Sequence, residues 1–365
     1  MRGVPRQLGS IAACATTHKS RERSRRAFRQ NPQTGRMTPT PMRTTAPCRR
    51  QQVATPAAAT VLLLVCAAVA GCGADRSAPT VDPPFPRQAI IAELQEFQRS
   101  LGVERTGNFR RFSDAQDAVY RCYFTGRLKL PASYEALQLV ERDEPGCAVD
   151  EQEYDVFFYP IEAVASGSSP VSPALADASL ERALVVVAHE DFHNQQETTR
   201  ASFDIAEAAA TLTGFITTRD FARIKYGKNS ELFRRLDREA ERFLVKARIA
   251  NAYYGRLAGV YDGYGSGAFT RDEALARKSA LYGELERECQ ASEAAVSFNT
   301  CPAVMNNAGL AFDRTYTRHY PAWFELYESL NRDAGATVAA FKRVLATGPQ
   351  SETELLDAST RSLRR

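Results

Sequence analysis

Histidine is scarce in this sequence, with only 4 in 365 residues: His18, His189, His193 and His319. No GxSxG elbow accompanies them, which excludes a Ser-His-Asp hydrolase built on that turn. Long apolar runs are also lacking. Only the stretch around 57–70 is apolar enough to enter a bilayer, so a multi-span membrane protein is excluded. Neither CxxC nor a Cys-His pair occurs at zinc-knuckle spacing. Gly263-Tyr-Gly-Ser-Gly267 lacks the Lys-Ser/Thr ending of a phosphate loop and follows no strand, so it is expected to be a flexible loop. What is present is ordinary for a folded domain: 44% apolar and 25% charged residues exclude wholesale disorder and a collagen-like fibre.

The formal net charge of +4 hides a division. Residues 1–50 hold twelve Lys and Arg against one acid, Glu22, and residues 51–71 hold no charge. From Cys72 onward acids outnumber bases 42 to 35. The body is therefore acidic, and a nucleic-acid partner is excluded.

Residues 57–70 read Ala-Ala-Ala-Thr-Val-Leu-Leu-Leu-Val-Cys-Ala-Ala-Val-Ala, behind Arg43, Arg49 and Arg50. A basic flank, a short apolar run and small residues at its end predict a signal peptide over 42–71 that starts at Met42. Val69-Ala70-Gly71-Cys72 has the form of a bacterial lipobox, so Cys72 is expected to carry lipid and to head the mature chain. The partner is then a membrane, and the place a bacterial cell envelope, facing the periplasm. Gly73 is not the Asp that retains lipoproteins at an inner membrane, which favours the outer one. An uncleaved anchor helix is the other reading. Residues 1–41 are Arg- and Pro/Thr-rich without an apolar face and cannot bury a core, so a non-native or disordered extension is expected. Residues 72–85 form a Pro-rich tether.

Past Cys72 four cysteines remain: Cys122, Cys147, Cys289 and Cys301. An even number in an exported chain points to two disulfides. Local pairing, Cys122–Cys147 and Cys289–Cys301, is the simplest of three connectivities, and closing the shorter loop would stabilise by about 3 kcal/mol.

The body, 86–365, is expected to be one mainly α (α+β) domain with a small β-capable N-terminal lobe. Residues 86–101 have helical periodicity and stop before Gly102. Tyr120 to Leu130 and Asp155 to Ile161 are aromatic and β-branched, the composition of strands. After a Ser/Gly/Pro loop at 165–173, helices are expected near 177–198, 202–225, 230–254, 271–293, 303–318, 321–346 and 352–363.

Chemistry concentrates at Ala188-His189-Glu190-Asp191-Phe192-His193-Asn194-Gln195, an HExxH pattern inside a helical apolar run. Four residues along a helix give about 40° of rotation and one turn of rise, so both imidazoles face the same way. That spacing lets two neutral histidines bind one Zn²⁺ per chain. Glu190 falls about 60° from His193, placed to reach a water at the metal as general base. Zinc needs a third protein ligand. Glu197 lies about 12 Å along the axis from His189, too far to share an ion, and is expected to be a solvated charge. Glu207 sits in an alanine-rich stretch (Ala206, Ala208, Ala209, Ala210) whose small residues allow close packing on the first helix. It is the expected third ligand, with Asp204 in reserve or as partner for a His N–H.

Those segments, with the later Met305-Asn306-Asn307-Ala308-Gly309-Leu310, resemble the bacterial predicted-aminopeptidase family, gluzincin-type zinc metallopeptidases with HExxHQ, Asn-Glu-x-x-Ala and Asn-Asn-Ala segments. The resemblance covers roughly 175–345. It implies a zincin-like domain in which His189, His193 and Glu207 hold zinc and Glu190 is the catalytic base acting on a peptide substrate. Two departures are Asn194, which shifts the Gln to position 195, and Ala206, which replaces the family's Asn. An oxyanion donor is sought among Tyr316, His319 and Tyr320; each has a structural reading beside it, as do Asn306 and Asn307, which either grip substrate or cap and cross-link helices. The alternatives to a peptidase are a non-catalytic envelope lipoprotein that binds through a degenerate metallopeptidase fold, and a zinc hydrolase acting on a cell-wall amide.

Overall fold

The computed structural model describes residues 87–364, apart from 114–119, 143–145, 161–162, 164–165, 298 and 303. The basic extension, the signal peptide, Cys72 and the tether lie outside the described residues. Among the described residues no helix is long and apolar enough to cross a membrane.

The chain runs α1 (Gln88–Ser100), β1 (Tyr120–Gly126), β2 (Gln138–Arg142), β3 (Tyr154–Pro160), α2 (Pro173–Asp177), α3 (Leu180–His193), α4 (Phe203–Tyr226), α5 (Glu231–Leu236), α6 (Glu239–Gly265), α7 (Arg271–Ala291), α8 (Asn307–Thr317), α9 (Tyr320–Ser329), α10 (Ala334–Ala346) and α11 (Glu352–Leu363). It is mainly helical with a small sheet, as expected. Three boundaries differ from the sequence reading. The helix expected over 177–198 ends at His193. The one over 230–254 is two helices, and α6 continues to Gly265 through the glycine cluster expected to be a loop. The Phe269 ring packs against Gly263 there, and a Cβ would stand 2.4 Å from that ring, so a side chain at 263 would displace it. The helix over 321–346 breaks at Asn331 and Arg332, both left-handed (φ 56° and 59°).

The sheet is antiparallel in the order β2-β1-β3. Tyr123 pairs across from Phe157 and shares its face with Tyr159, two residues further along β3. All three rings pack on Phe312 of α8, with centroids 5.9, 4.3 and 5.4 Å away. Strand β2 was not foreseen: it is an edge strand with Leu139 and Val140 exposed, so it shows no burial alternation. Both disulfides form as expected, Cys122–Cys147 and Cys289–Cys301.

Helix α3 starts where the Ser179 side chain accepts from the Arg182 amide, and Arg182 to His193 are all buried. Helix α4 is likewise buried on nearly every side. These two central helices need neighbours all around, and α1, α5, α8, α9 and α10 supply them.

Asn306 and Asn307 tie the sheet to this body. Asn306 caps α8 by accepting from the Gly309 amide (2.9 Å) and donates to the Val156 carbonyl (2.8 Å). Asn307 accepts from Tyr261 (2.8 Å) and Tyr282 (2.9 Å) and donates to the carbonyls of Arg127 (3.1 Å) and Lys129 (2.8 Å). Its backbone amide bonds Asp155 (2.9 Å), which also pairs with Lys278. Of the two readings left open for this Asn pair, the structure takes capping and cross-linking. A second buried pair, Lys246–Asp313 at 2.7 Å, joins α6 to α8 with both side chains 1% exposed.

Removing one member of that pair strands a buried charge, at a cost of about 3–5 kcal/mol. Asp313→Ala is expected to lose that much in urea unfolding, and the double change Lys246→Met with Asp313→Leu to recover most of it. A single-variant loss below about 1 kcal/mol would show that the pair is hydrated in solution.

Candidate metal centre

Helix α3 brings His189 and His193 to one face, and α4 returns antiparallel with Glu207 opposite them. His189 Nε2 and His193 Nε2 stand 3.0 Å apart. Glu207 Oε2 is 3.1 Å from His193 Nε2 and 3.3 Å from His189 Nε2. Three ligands in a tetrahedral set at about 2.0–2.1 Å from one ion stand about 3.3–3.4 Å apart, so the triangle, with sides of 3.0, 3.1 and 3.3 Å, is slightly tighter than such a donor set and could hold a metal ion. Among the described residues this is the group of His, Cys, Asp or Glu placed to hold a metal ion.

The closeness of the two helices has an identifiable cause. Glu207, Thr211, Gly214 and Thr218 recur at helical spacing as the stripe of α4 that faces α3. Gly214 is the only glycine in α4, and a Cβ on it would lie 3.0 Å from the Val185 carbonyl oxygen and 3.5 Å from His189 Cβ. The neighbouring Ala208, Ala209 and Ala210 are fully buried and add no bulk.

Electrostatics suit metal ligation. Burial pushes the His189 imidazole below its ordinary value and keeps it neutral, the form that ligates metals. Burial works against the Glu207 charge too, but the facing His193 and His189 rings prevail and hold the carboxyl below its usual range. Glu190, between the ligands on α3, is fully buried.

The other expected residues divide. Tyr316 of α8 joins the cluster, its ring centroid 6.4 Å from that of His189. Burial first, and the nearby Glu207 charge second, push its phenol well above the ordinary value, so it remains a neutral donor. His319 is directed elsewhere: its Nε2 lies 3.1 Å from Asp204 Oδ2, beside Arg318 Nη1 at 3.0 Å. Asp204 is thus engaged at the start of α4, as partner for a histidine that is not one of the pair on α3. Burial opposes its charge, and His319, Ser202 and Arg318 together hold its carboxyl well below the usual range. Tyr320 is buried and donates to the Ala240 carbonyl at 3.0 Å. Glu197 is not part of the cluster; its Oε1 lies 3.6 Å from Lys342.

Sequence reasoning missed what holds the end of α3. Asp191, buried inside the motif, accepts from Gln95 (3.0 Å), Asn108 (3.2 Å) and Thr106. Burial raises its carboxyl and these donors oppose the rise. Gln195 turns away from the ligands: its Oε1 accepts from the Glu104 amide (2.8 Å), and its amide donates to the carbonyls of Glu104 (3.2 Å) and Asp191 (3.1 Å). The available signal was Asp191 itself, an acid in an apolar run whose charge requires donors.

No protein-family model, curated protein or solved structure matches this chain. The site therefore stands on its own geometry.

Gly214→Val tests the seam. Helix propensity alone would favour valine over glycine here by about 0.3 kcal/mol, but valine must push backbone against backbone, which costs about 1–3 kcal/mol or more. The variant is expected to lose stability in urea unfolding and to bind zinc at least tenfold more weakly by chelator competition. Unchanged zinc affinity would show that the helix spacing does not set the donor triangle.

Proposed function

We propose that this chain is a zinc-dependent peptidase of the gluzincin type, held on a bacterial cell envelope through lipid at Cys72. The observation that carries the proposal is the buried triangle of His189, His193 and Glu207 with Glu190 on the same helix as both histidines. The lipid anchor rests on the lipobox residues alone.

His189 and His193 would offer neutral Nε2 atoms to the ion, and Glu207 would supply a carboxylate that offsets half of its charge. When bound, zinc supplies Lewis-acid polarisation of a carbonyl and makes a water more acidic. Glu190 takes the proton from the attacking water and passes it to the leaving amine. Tyr316 keeps its proton throughout and donates a hydrogen bond to the oxygen on which charge develops.

One observation favours the rival reading of a non-catalytic envelope protein. His189, Glu190 and Glu207 are 0% exposed and His193 only 6%, so a substrate must enter past His193. A site that only stores or senses an ion needs no such entrance.

Elemental mass spectrometry on the purified protein separates the possibilities. About one zinc per chain is expected, lost in His193→Ala. Glu190→Gln is expected to keep the zinc and to lower peptide hydrolysis by about 10²- to 10⁴-fold. Full activity in Glu190→Gln would sink the peptidase mechanism; zinc bound without hydrolysis of any peptide or cell-wall amide in a broad panel would favour the rival.

A further inference from the structure

Three polar atoms around the donor triangle are buried without a hydrogen-bond partner: His189 Nδ1, Glu207 Oε1 and Thr211 Oγ1. A buried polar group left in that state is costly, because it has given up its water without a replacement. The three are not scattered. Thr211 is four residues after Glu207 and three before Gly214, so it lies on the α4 stripe that faces α3. Glu207 at one end of this stretch touches His189 Nε2, at 3.3 Å. At the other end the Gly214 Cβ position lies 3.5 Å from His189 Cβ. The His189 ring is bracketed by the two residues that flank Thr211. Thr213 and Thr217 also carry buried hydroxyls without partners. At about 100° per residue they point roughly 120° and 80° away from the Glu207 direction, against about 40° for Thr211.

Resting on the metal-centre reading above, we propose that Thr211 is the positioning residue of this site, its hydroxyl accepting from His189 Nδ1–H and donating to Glu207 Oε1 through buried water. The inventory of the three groups closes without remainder. With His189 Nε2 turned to the ion, its proton resides on Nδ1 and needs an acceptor. A carboxylate that ligates through one oxygen needs a donor for the other. A threonine hydroxyl is one donor and an acceptor at once. Metal-ligating histidines commonly give their second N–H to such a partner, and the loss of one typically costs 10- to 100-fold in metal affinity. Here one hydroxyl orients two ligands from two helices, which fixes the triangle in the absence of an acidic partner for His189.

Thr211→Val keeps the shape and removes the hydroxyl; Thr211→Ser keeps the hydroxyl. Zinc affinity is read by competition with a chromophoric chelator on the full chain, and urea unfolding is read on the metal-free proteins. Thr211→Val is expected to bind zinc 10- to 100-fold more weakly, Thr211→Ser to stay within about threefold of the unaltered protein. A valine variant that folds and binds zinc within threefold of the unaltered protein overturns the role of Thr211 while the metal centre stands. Equal losses in the serine and valine variants overturn it as well, since the hydroxyl would then be irrelevant. If the unaltered protein itself takes up no zinc, the metal-centre reading fails and this proposal fails with it.

Discussion

Everything at this site depends on how closely α4 approaches α3. Two buried helices meet at the Gly214 Cα, where a carbonyl of one lies against the backbone of the other. Interiors are packed densely enough that a single methyl group at such a point is felt. The two histidines need only the pitch of α3 to face the same way, and that is a local property. Their distance from Glu207 is not local. It is set by a stripe of small side chains on α4 and, beyond them, by the ring of surrounding helices that leaves neither central helix a free face.

Around that seam the molecule uses buried polar clusters as fasteners. Asp191, Gln195 and Asn108 hold the end of α3 to the turn after α1. Asn307 and Asp155 hold the sheet to α7 and α8. Each places a group that must be satisfied between elements that hydrophobic contact alone would leave free to slide. Apolar packing is tolerant of small shifts, while a buried carboxylate with three donors is not. Tyr316 profits from this, since α8 is pinned at its start by the same Asn307 cluster and carries the ring toward His189.

The His189, His193 and Glu207 group was legible because it follows short-range rules. HExxH spacing fixes one helix face, and an acid in a run of alanines marks a helix that packs closely. The disulfides followed from an even number of cysteines paired locally. What was not legible depends on partners far along the chain. Nothing local distinguishes an Asn that grips substrate from Asn307, whose partners lie on four different segments. The extension of α6 through Gly263 depends on where Phe269 packs, and β2 shows no alternation because both its faces meet solvent. The burial of Thr211 was invisible for a related reason: a threonine in a helix reads as unremarkable until the neighbours that enclose it are known.

The separations along the chain carry a consequence for the order of assembly. The donor set lies within the α3–α4 hairpin, with His193 and Glu207 only 14 positions apart. The contacts from Asn307 to Arg127 and Lys129 span 180 and 178. Closing the longer loop costs about 2.3 kcal/mol more in chain entropy, by the logarithmic dependence on loop length. The hairpin can therefore gather its ligands while the sheet is still being recruited. An ion caught at that stage would act as a nucleus, holding together two helices whose remaining faces are still waiting for their neighbours.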